Sequence, residues 1–293
     1  MRPLISKIGT DKMKCLVVGH LVKDVLVKGS GIEYRIGGGA YYSALALSRF
    51  CDVEVLTSVG EDFPGKWLEE LEASGIRLHV IPSRNSTSYR LRYLDRDNRE
   101  LTLLSVAERI TDFPKKGYDM ILLNPVAGEI PPESIELARE RSSFVGADVQ
   151  GFIRPPEPGR VKLKDIDGSV FRGVKVLHGE ASEMTLVKGI EPGDVEVLLV
   201  SQGGDEGTAY LRGRKHVYRP VKVAVDESTG AGDVFLASFS YFYRECPFVQ
   251  ALKRAAAFTA LFLKHRHFSF PLEEVNELAR EVDVKPARQA SGI

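Results

Sequence analysis

Short apolar runs recur along the chain and alternate with longer stretches of helical character. Cys15-Leu16-Val17-Val18-Gly19, Val53 to Val59, Met120-Ile121-Leu122-Leu123, Phe144-Val145-Gly146-Ala147, Val174-Lys175-Val176-Leu177 and Val195 to Val200 are such runs. Each is too short for a helix and apolar on both alternating faces, the pattern of a strand buried on both sides of a parallel sheet. Between them, Ala40 to Leu47, Trp67 to Leu71, the stretch from Pro131, the run through Tyr243 and Ala251 to Leu263 have helical length without a breaker. The alternation predicts an α/β fold, a doubly wound and mostly parallel sheet flanked by helices. Two stretches leave this rhythm. Val25 to Ile36, around Gly29-Ser30-Gly31, and Ser86 to Ser105, around Asp95-Arg96-Asp97-Asn98, read as β-hairpins. There is no internal repeat and no low-complexity linker, so a single domain over 14–285 is expected, preceded by a loose polar extension, 1–13.

Composition narrows the partners. The 293 residues balance 40 Lys+Arg against 40 Asp+Glu, so no net field favours nucleic acid or a membrane surface, and neither partner is expected. Cys15, Cys51 and Cys246 are scattered and odd in number, which suits a reduced, cytoplasmic protein. No apolar run approaches membrane-spanning length, and the first residues lack the apolar centre of a signal peptide. His265 and His267 have no Cys or carboxylate at zinc-ligand spacing.

The candidate chemistry sits in Glu227-Ser228-Thr229-Gly230-Ala231-Gly232-Asp233. Gly230 and Gly232 permit a tight turn and close backbone approach to a ligand, and a helix starts there. A helix start binds anions through its free N–H groups and dipole. Asp233 in that first turn either favours the dipole or takes a proton from a hydroxyl attacking the anion. Phosphoryl transfer to an alcohol needs the second arrangement. A second glycine cluster, Gly37-Gly38-Gly39, precedes the helix at Ala40. It is not a dinucleotide fingerprint, because Tyr42 stands where a third spaced glycine is required. Gly60 to Lys66 matches the start of a P-loop, but Trp67 replaces the Ser/Thr, acids replace neutral residues and Pro64 removes a donor.

Thr229-Gly230-Ala231-Gly232-Asp233 resembles the C-terminal signature of the ribokinase-like, or PfkB, carbohydrate kinases. The Gly38-Gly39 pair and the Gly60, Asp62, Gly65 turn are similar to other features of that family, in the same order. The resemblance implies that Gly230, Ala231 and Gly232 form an anion hole and Asp233 is the base. It also implies that Asp24, Gly38 and Gly39 bind the acceptor, with ATP and Mg2+ as cofactors. Gly204, Gly207 and Thr229 would lie at the nucleotide, and Glu183 at the magnesium. Strands from about 22–37 and 86–105 would form a small β lid, whose free edge could pair two subunits. Two departures stand out: Tyr41, Tyr42 and Ser43 replace the usual Asn after the glycines, and Glu180 replaces another Asn. Asp148-Val149-Gln150, with Arg154 further on, resembles the myo-inositol 3-kinase branch, which adds Asp148, Gln150 and Arg154 to the expected acceptor site. The expected activity is ATP-dependent phosphorylation of a polyol hydroxyl, with myo-inositol foremost. A different PfkB-type sugar or nucleoside kinase, or a non-catalytic nucleotide or polyol sensor, are the alternatives.

Overall fold

The computed structural model describes residues 12–28, 31–93, 99–225 and 227–287. The chain begins with β1 (Lys14–Val18), β2 (Val22–Lys28), β3 (Gly31–Gly37), α1 (Gly39–Ser48), β4 (Asp52–Gly60), α2 (Gly65–Ala73) and β5 (Arg77–Ser83). The hairpin β6 (Thr87–Tyr93) and β7 (Arg99–Ser105) follows, then β8 (Met120–Leu123), α3 (Ser134–Arg141), β9 (Val145–Asp148), and the two-residue strands β10 (Gly159–Arg160) and β11 (Ile166–Asp167). The last part contains β12 (Val176–Glu180), α4 (Ala181–Met184), β13 (Val187–Lys188), β14 (Val197–Ser201), β15 (Gly207–Leu211), β16 (Arg214–Arg219), α5 (Ala231–Glu245), α6 (Phe248–His265), α7 (Leu272–Leu278) and β17 (Asp283–Pro286).

Ten strands make one sheet in the order β17-β16-β15-β14-β12-β9-β8-β1-β4-β5. The pairs from β14 to β5 are parallel. β15, β16 and β17 continue the sheet antiparallel. The two-residue period explains why the strands are apolar throughout. Cys15 and Val17 enter one apolar cluster with residues of α1, α5 and α6, while Leu16 and Val18 enter another with residues of α3. Met120 and Leu122 divide from Ile121 and Leu123 in the same way. Both faces are thus covered, as a parallel sheet requires.

The two expected hairpins merge. β2 pairs with β3 antiparallel and with β6 in parallel, giving a five-stranded sheet in the order β10-β7-β6-β2-β3. Its inner face is apolar: Val22, Tyr89, Leu91 and Leu103 pack with Val126 and Ala127. Tyr89 Oη donates to the Val126 carbonyl at 2.6 Å, which ties this sheet to the loop after β8. The Asp95–Asn98 hairpin tip and residues 1–11 of the expected extension lie outside the described residues. Lys66, the lysine of the rejected P-loop match, is solvent-exposed and pairs only loosely with Glu70 at 3.7 Å. Among the described residues no helix is long and apolar enough to cross a membrane.

Candidate active site

The parallel strands end on the side where the small sheet lies, and α5 begins there too. Ligands bind at this edge of open α/β sheets. A cleft of about 480 Å³ occupies the place. Its lining brings together Asp24, Gly38, Gly39, Asp148, Gln150, Arg154, Glu183, Gly204, Thr229 and Gly230 to Asp233, residues spread over more than 200 positions of sequence. Gly207 is the exception. It opens β15 beneath the Tyr218 ring, with which a Cβ would collide, so its need for glycine comes from packing and it does not line the cleft.

Gly230 caps α5 in the left-handed region, φ 85° and ψ −2°. The Tyr42 ring lies against it, and a Cβ at 230 would stand 2.5 Å from the ring. Both facts demand glycine. The turn is closed by Ala231 N–H donating to the Ser228 carbonyl at 3.1 Å. The remaining N–H groups of the first helical turn have no intrahelical acceptor and face the cleft end of the helix, where an anion is favoured.

Asp233 is partly buried, with its open side on the cleft. Asn124 Nδ2 donates to its Oδ1 at 3.3 Å, and Ser43 Oγ donates to its backbone carbonyl at 3.1 Å. Asn124 sits at the end of β8, fully buried, and its Oδ1 has no hydrogen-bond partner among the described residues. Burial, reinforced by the Asp148 carboxylate, pushes the Asp233 carboxyl up to about 7. A carboxylate so tuned can hold a proton near neutral pH.

Asp148 lies at the end of β9 with both oxygens engaged. Oδ2 meets His178 Nδ1 at 2.6 Å, and Oδ1 accepts from the Gln150 N–H at 2.8 Å. It is therefore less free to bind an acceptor than its sequence position suggests, whereas Arg154 has a buried Nε with no partner among the described residues. Asp24 on β2 is buried at the foot of the small sheet. The lining also includes an apolar set, Val221, Val223 and Val225 with Ala256, Ala260 and Leu263 of α6. Gly203 and Gly204, in the turn between β14 and β15, line the cleft as well.

Glu180 and Glu183 form a capping box at α4. The Glu180 N–H donates to Glu183 Oε2 at 3.0 Å, and Glu180 takes the N-cap role. Burial and the Asp148 charge raise the Glu183 carboxyl. Among the described residues no group of three or more His, Cys, Asp or Glu could hold a metal ion by itself.

The loop that enters the anion turn is braced from two sides. Arg35 of β3 grips both oxygens of Glu227, one at 2.7 Å. Arg266 donates to the carbonyls of Glu227 at 3.2 Å and Thr229 at 3.1 Å, with its guanidinium over the Phe262 ring. Burial opposes the charge of Glu227, but hydrogen bonds from Arg35 and Thr229 hold its carboxyl at about 2. Sequence reading passed over His178, Asn124 and this brace. His178 carried one usable signal, because strand alternation puts it on the face of Val176, toward α5.

No protein-family model matches the sequence. Inositol 3-kinase from Arabidopsis thaliana is 28% identical over 241 residues, covering 76% of this chain and 66% of its own length. The Zea mays inositol 3-kinase is 26% identical over 261 residues, covering 81% and 68%. The chain thus spans about two thirds of the length of these relatives. Among solved structures, a pyrophosphate-dependent kinase of the ribokinase family, complexed with a pyrophosphate analog and myo-inositol, superposes with a TM-score of 0.75. That match covers 89% of this chain and 98% of the other at 22% identity, and speaks for the fold. In architecture and in sequence the chain is thus similar to the ribokinase-like (PfkB) carbohydrate kinases, and to their inositol kinases in particular.

Proposed function

We propose that the protein is a kinase that transfers a phosphoryl group from ATP to a hydroxyl of a polyol, with myo-inositol as the acceptor. The observation that carries this reading is the placement of Asp233, a carboxylate raised to about 7 in the first turn of a helix whose N-terminus is shaped for an anion. Asp233 takes the proton from the acceptor hydroxyl, and the N–H groups of Gly232 and Asp233 stabilise charge on the transferred group, in the turn that Ala231 closes. Asp24, Gln150, Arg154 and the Gly38-Gly39 backbone orient the acceptor, with Asp148 acting from behind through its engaged carboxylate. The unpartnered Arg154 Nε supports this, since it is a buried donor facing a site made for hydroxyls.

The apolar wall beyond the anion turn favours a nucleotide over pyrophosphate as donor. Pyrophosphate has no apolar part to cover Val223, Val225, Ala256 and Ala260, whereas a purine base fits such a slot. Thr229 and Gly204 then flank the phosphates. The residues fit magnesium only as an ion shared with phosphates and water, with Glu183 as the carboxylate that would hold it, beside Asp148 and Glu180. When bound, the ion would neutralise donor charge. We also infer a dimer through the small sheet, supported by the exposed Ile32 and Tyr34 on its edge strand β3.

The test is a matrix of donors (ATP, ADP, pyrophosphate) against acceptors (myo-inositol, ribose, fructose, a nucleoside). ATP with myo-inositol should give the highest kcat/KM. Turnover that no acceptor stimulates would remove the kinase reading, and a preference for pyrophosphate would remove the donor assignment alone.

A further inference from the structure

His178 is nearly fully buried in the middle of β12, yet both ring nitrogens are used. Nδ1 lies 2.6 Å from Asp148 Oδ2 on β9, and Nε2 lies 3.1 Å from Ser201 Oγ on β14. The ring therefore bridges three adjacent strands at their ligand-facing ends. It also touches the anion turn. A Cβ added at Gly232 would stand 3.0 Å from His178 Cε1, so the imidazole edge takes up the space that a side chain at 232 would need. The Phe235 ring meets it edge-on at 5.9 Å between centroids, closing the remaining side.

We propose that His178 is a positioning residue of the reaction: a doubly protonated imidazolium, clamped by Asp148 and Ser201, that supports the Gly232 turn and balances the carboxylates gathered around it. The proposal rests on the kinase reading of the site.

The charge environment supports the assignment. The groups facing His178 are Asp148 from β9, Asp233 from α5 and Glu183 from α4. Arg154, on the loop after β9, acts on the same carboxylates. Burial disfavours a charged imidazole, but the hydrogen bond and charge of Asp148 outweigh it and raise the ring above its ordinary pKa. With protons on both nitrogens, one is donated to Asp148 and the other to Ser201, which the two distances accommodate. The arrangement differs from a nucleophilic triad, in which the imidazole must be neutral to take a proton from the hydroxyl.

A consequence follows for the base. Asp148 raises the Asp233 carboxyl, and His178 lowers it. Removing the positive charge must therefore move Asp233 further up and shift the acid limb of the pH–kcat profile to higher pH. A base raised by one unit lowers kcat about tenfold on the acid limb and leaves the plateau in place.

Two measurements test this. Nitrogen NMR of the wild-type imidazole at pH 7, without ligands, should find protons on both ring nitrogens; a neutral tautomer overturns the proposal whatever the enzyme phosphorylates. His178→Asn and His178→Gln should each lose at least about tenfold in kcat on the acid limb, with a much smaller loss on the alkaline plateau. An acid limb that coincides with the wild type overturns the positioning role, even if kcat is uniformly lower. Wild-type protein that phosphorylates no acceptor would defeat the kinase reading on which the kinetic arm rests, while the NMR result would still decide the charge of His178.

Discussion

Gly39 and Asp233 are in contact across the site. A methyl group on Gly39 would lie 2.5 Å from Asp233 Oδ1 and 3.0 Å from Asn124 Cβ. The glycine pair before α1 lines the cleft, and at Gly39 the missing side chain also leaves room for this carboxylate. Gly39 lies in the first turn of α1 without a left-handed φ, so alanine is allowed by the backbone. Gly39→Ala should therefore fold and should displace Asp233. A shift on the order of 1 Å in a reacting group costs about 10²-fold in rate. Turnover and melting temperature measured together check this: a large fall in kcat with a modest change in melting temperature is expected.

The apolar wall makes a prediction about the donor. Ala260 is 4% exposed and lines the slot proposed for the base. Ala260→Phe should fill that slot and raise the KM for ATP at least about tenfold, the loss expected when roughly 1.4 kcal/mol of binding is removed. Use of pyrophosphate, if any is measurable, should be unchanged. Equal effects on both donors would place the base elsewhere.

Much of this was legible in sequence because it depends on local rules. The parallel strands announced themselves through apolar runs, since both faces of each are covered. The glycine–acid turn announced itself because a left-handed Gly230 and a helix-starting acid leave a short, dense pattern. The merging of β2 with β6 was not legible, because a parallel pairing between segments about 60 residues apart leaves no local mark. Gly207 misled because a glycine required by the Tyr218 ring looks, in sequence, like a glycine required by a ligand. His178 and Asn124 were hidden for another reason. Each is a single polar residue in or just after an apolar strand, and only the meeting of β8, β9, β12, β14 and α5 gives it partners.

Stability has its own buried charge, remote from the cleft. Glu54 on β4 is 2% exposed and is held by Lys116, His79, Arg77 and the Tyr118 hydroxyl. Burial alone would raise its carboxyl, but the hydrogen bonds from Lys116, His79 and Tyr118 win and hold it at about 2. A lowered carboxylate pKa contributes stability above the unfolded value and loses it as pH falls through the folded one. The cationic partners are half-exposed and can turn to water, so Glu54→Gln should cost about 1–3 kcal/mol at pH 7. Chemical denaturation of both proteins between pH 7 and 2 should show that gap closing as the pH drops below about 4.5. A gap independent of pH would mean that packing, and not charge, accounts for Glu54.

Asp233 is the group on which the proposed proton transfer depends. Its raised carboxyl means that the folded protein prefers the protonated form, so stability is lost as pH rises from the ordinary carboxylate range to about 7, and above that the cost is present in full. Asp233→Asn keeps the shape, removes the proton acceptor and relieves that cost. At pH 8, with the best donor and acceptor, turnover should fall about 10²–10⁴-fold, the usual contribution of a positioned base. The melting temperature should hold or rise. If Asp233 served only the helix dipole, its loss would instead lower stability by about 0.3–1 kcal/mol and leave turnover near normal. Near-normal turnover in a less stable Asp233→Asn protein would contradict the account.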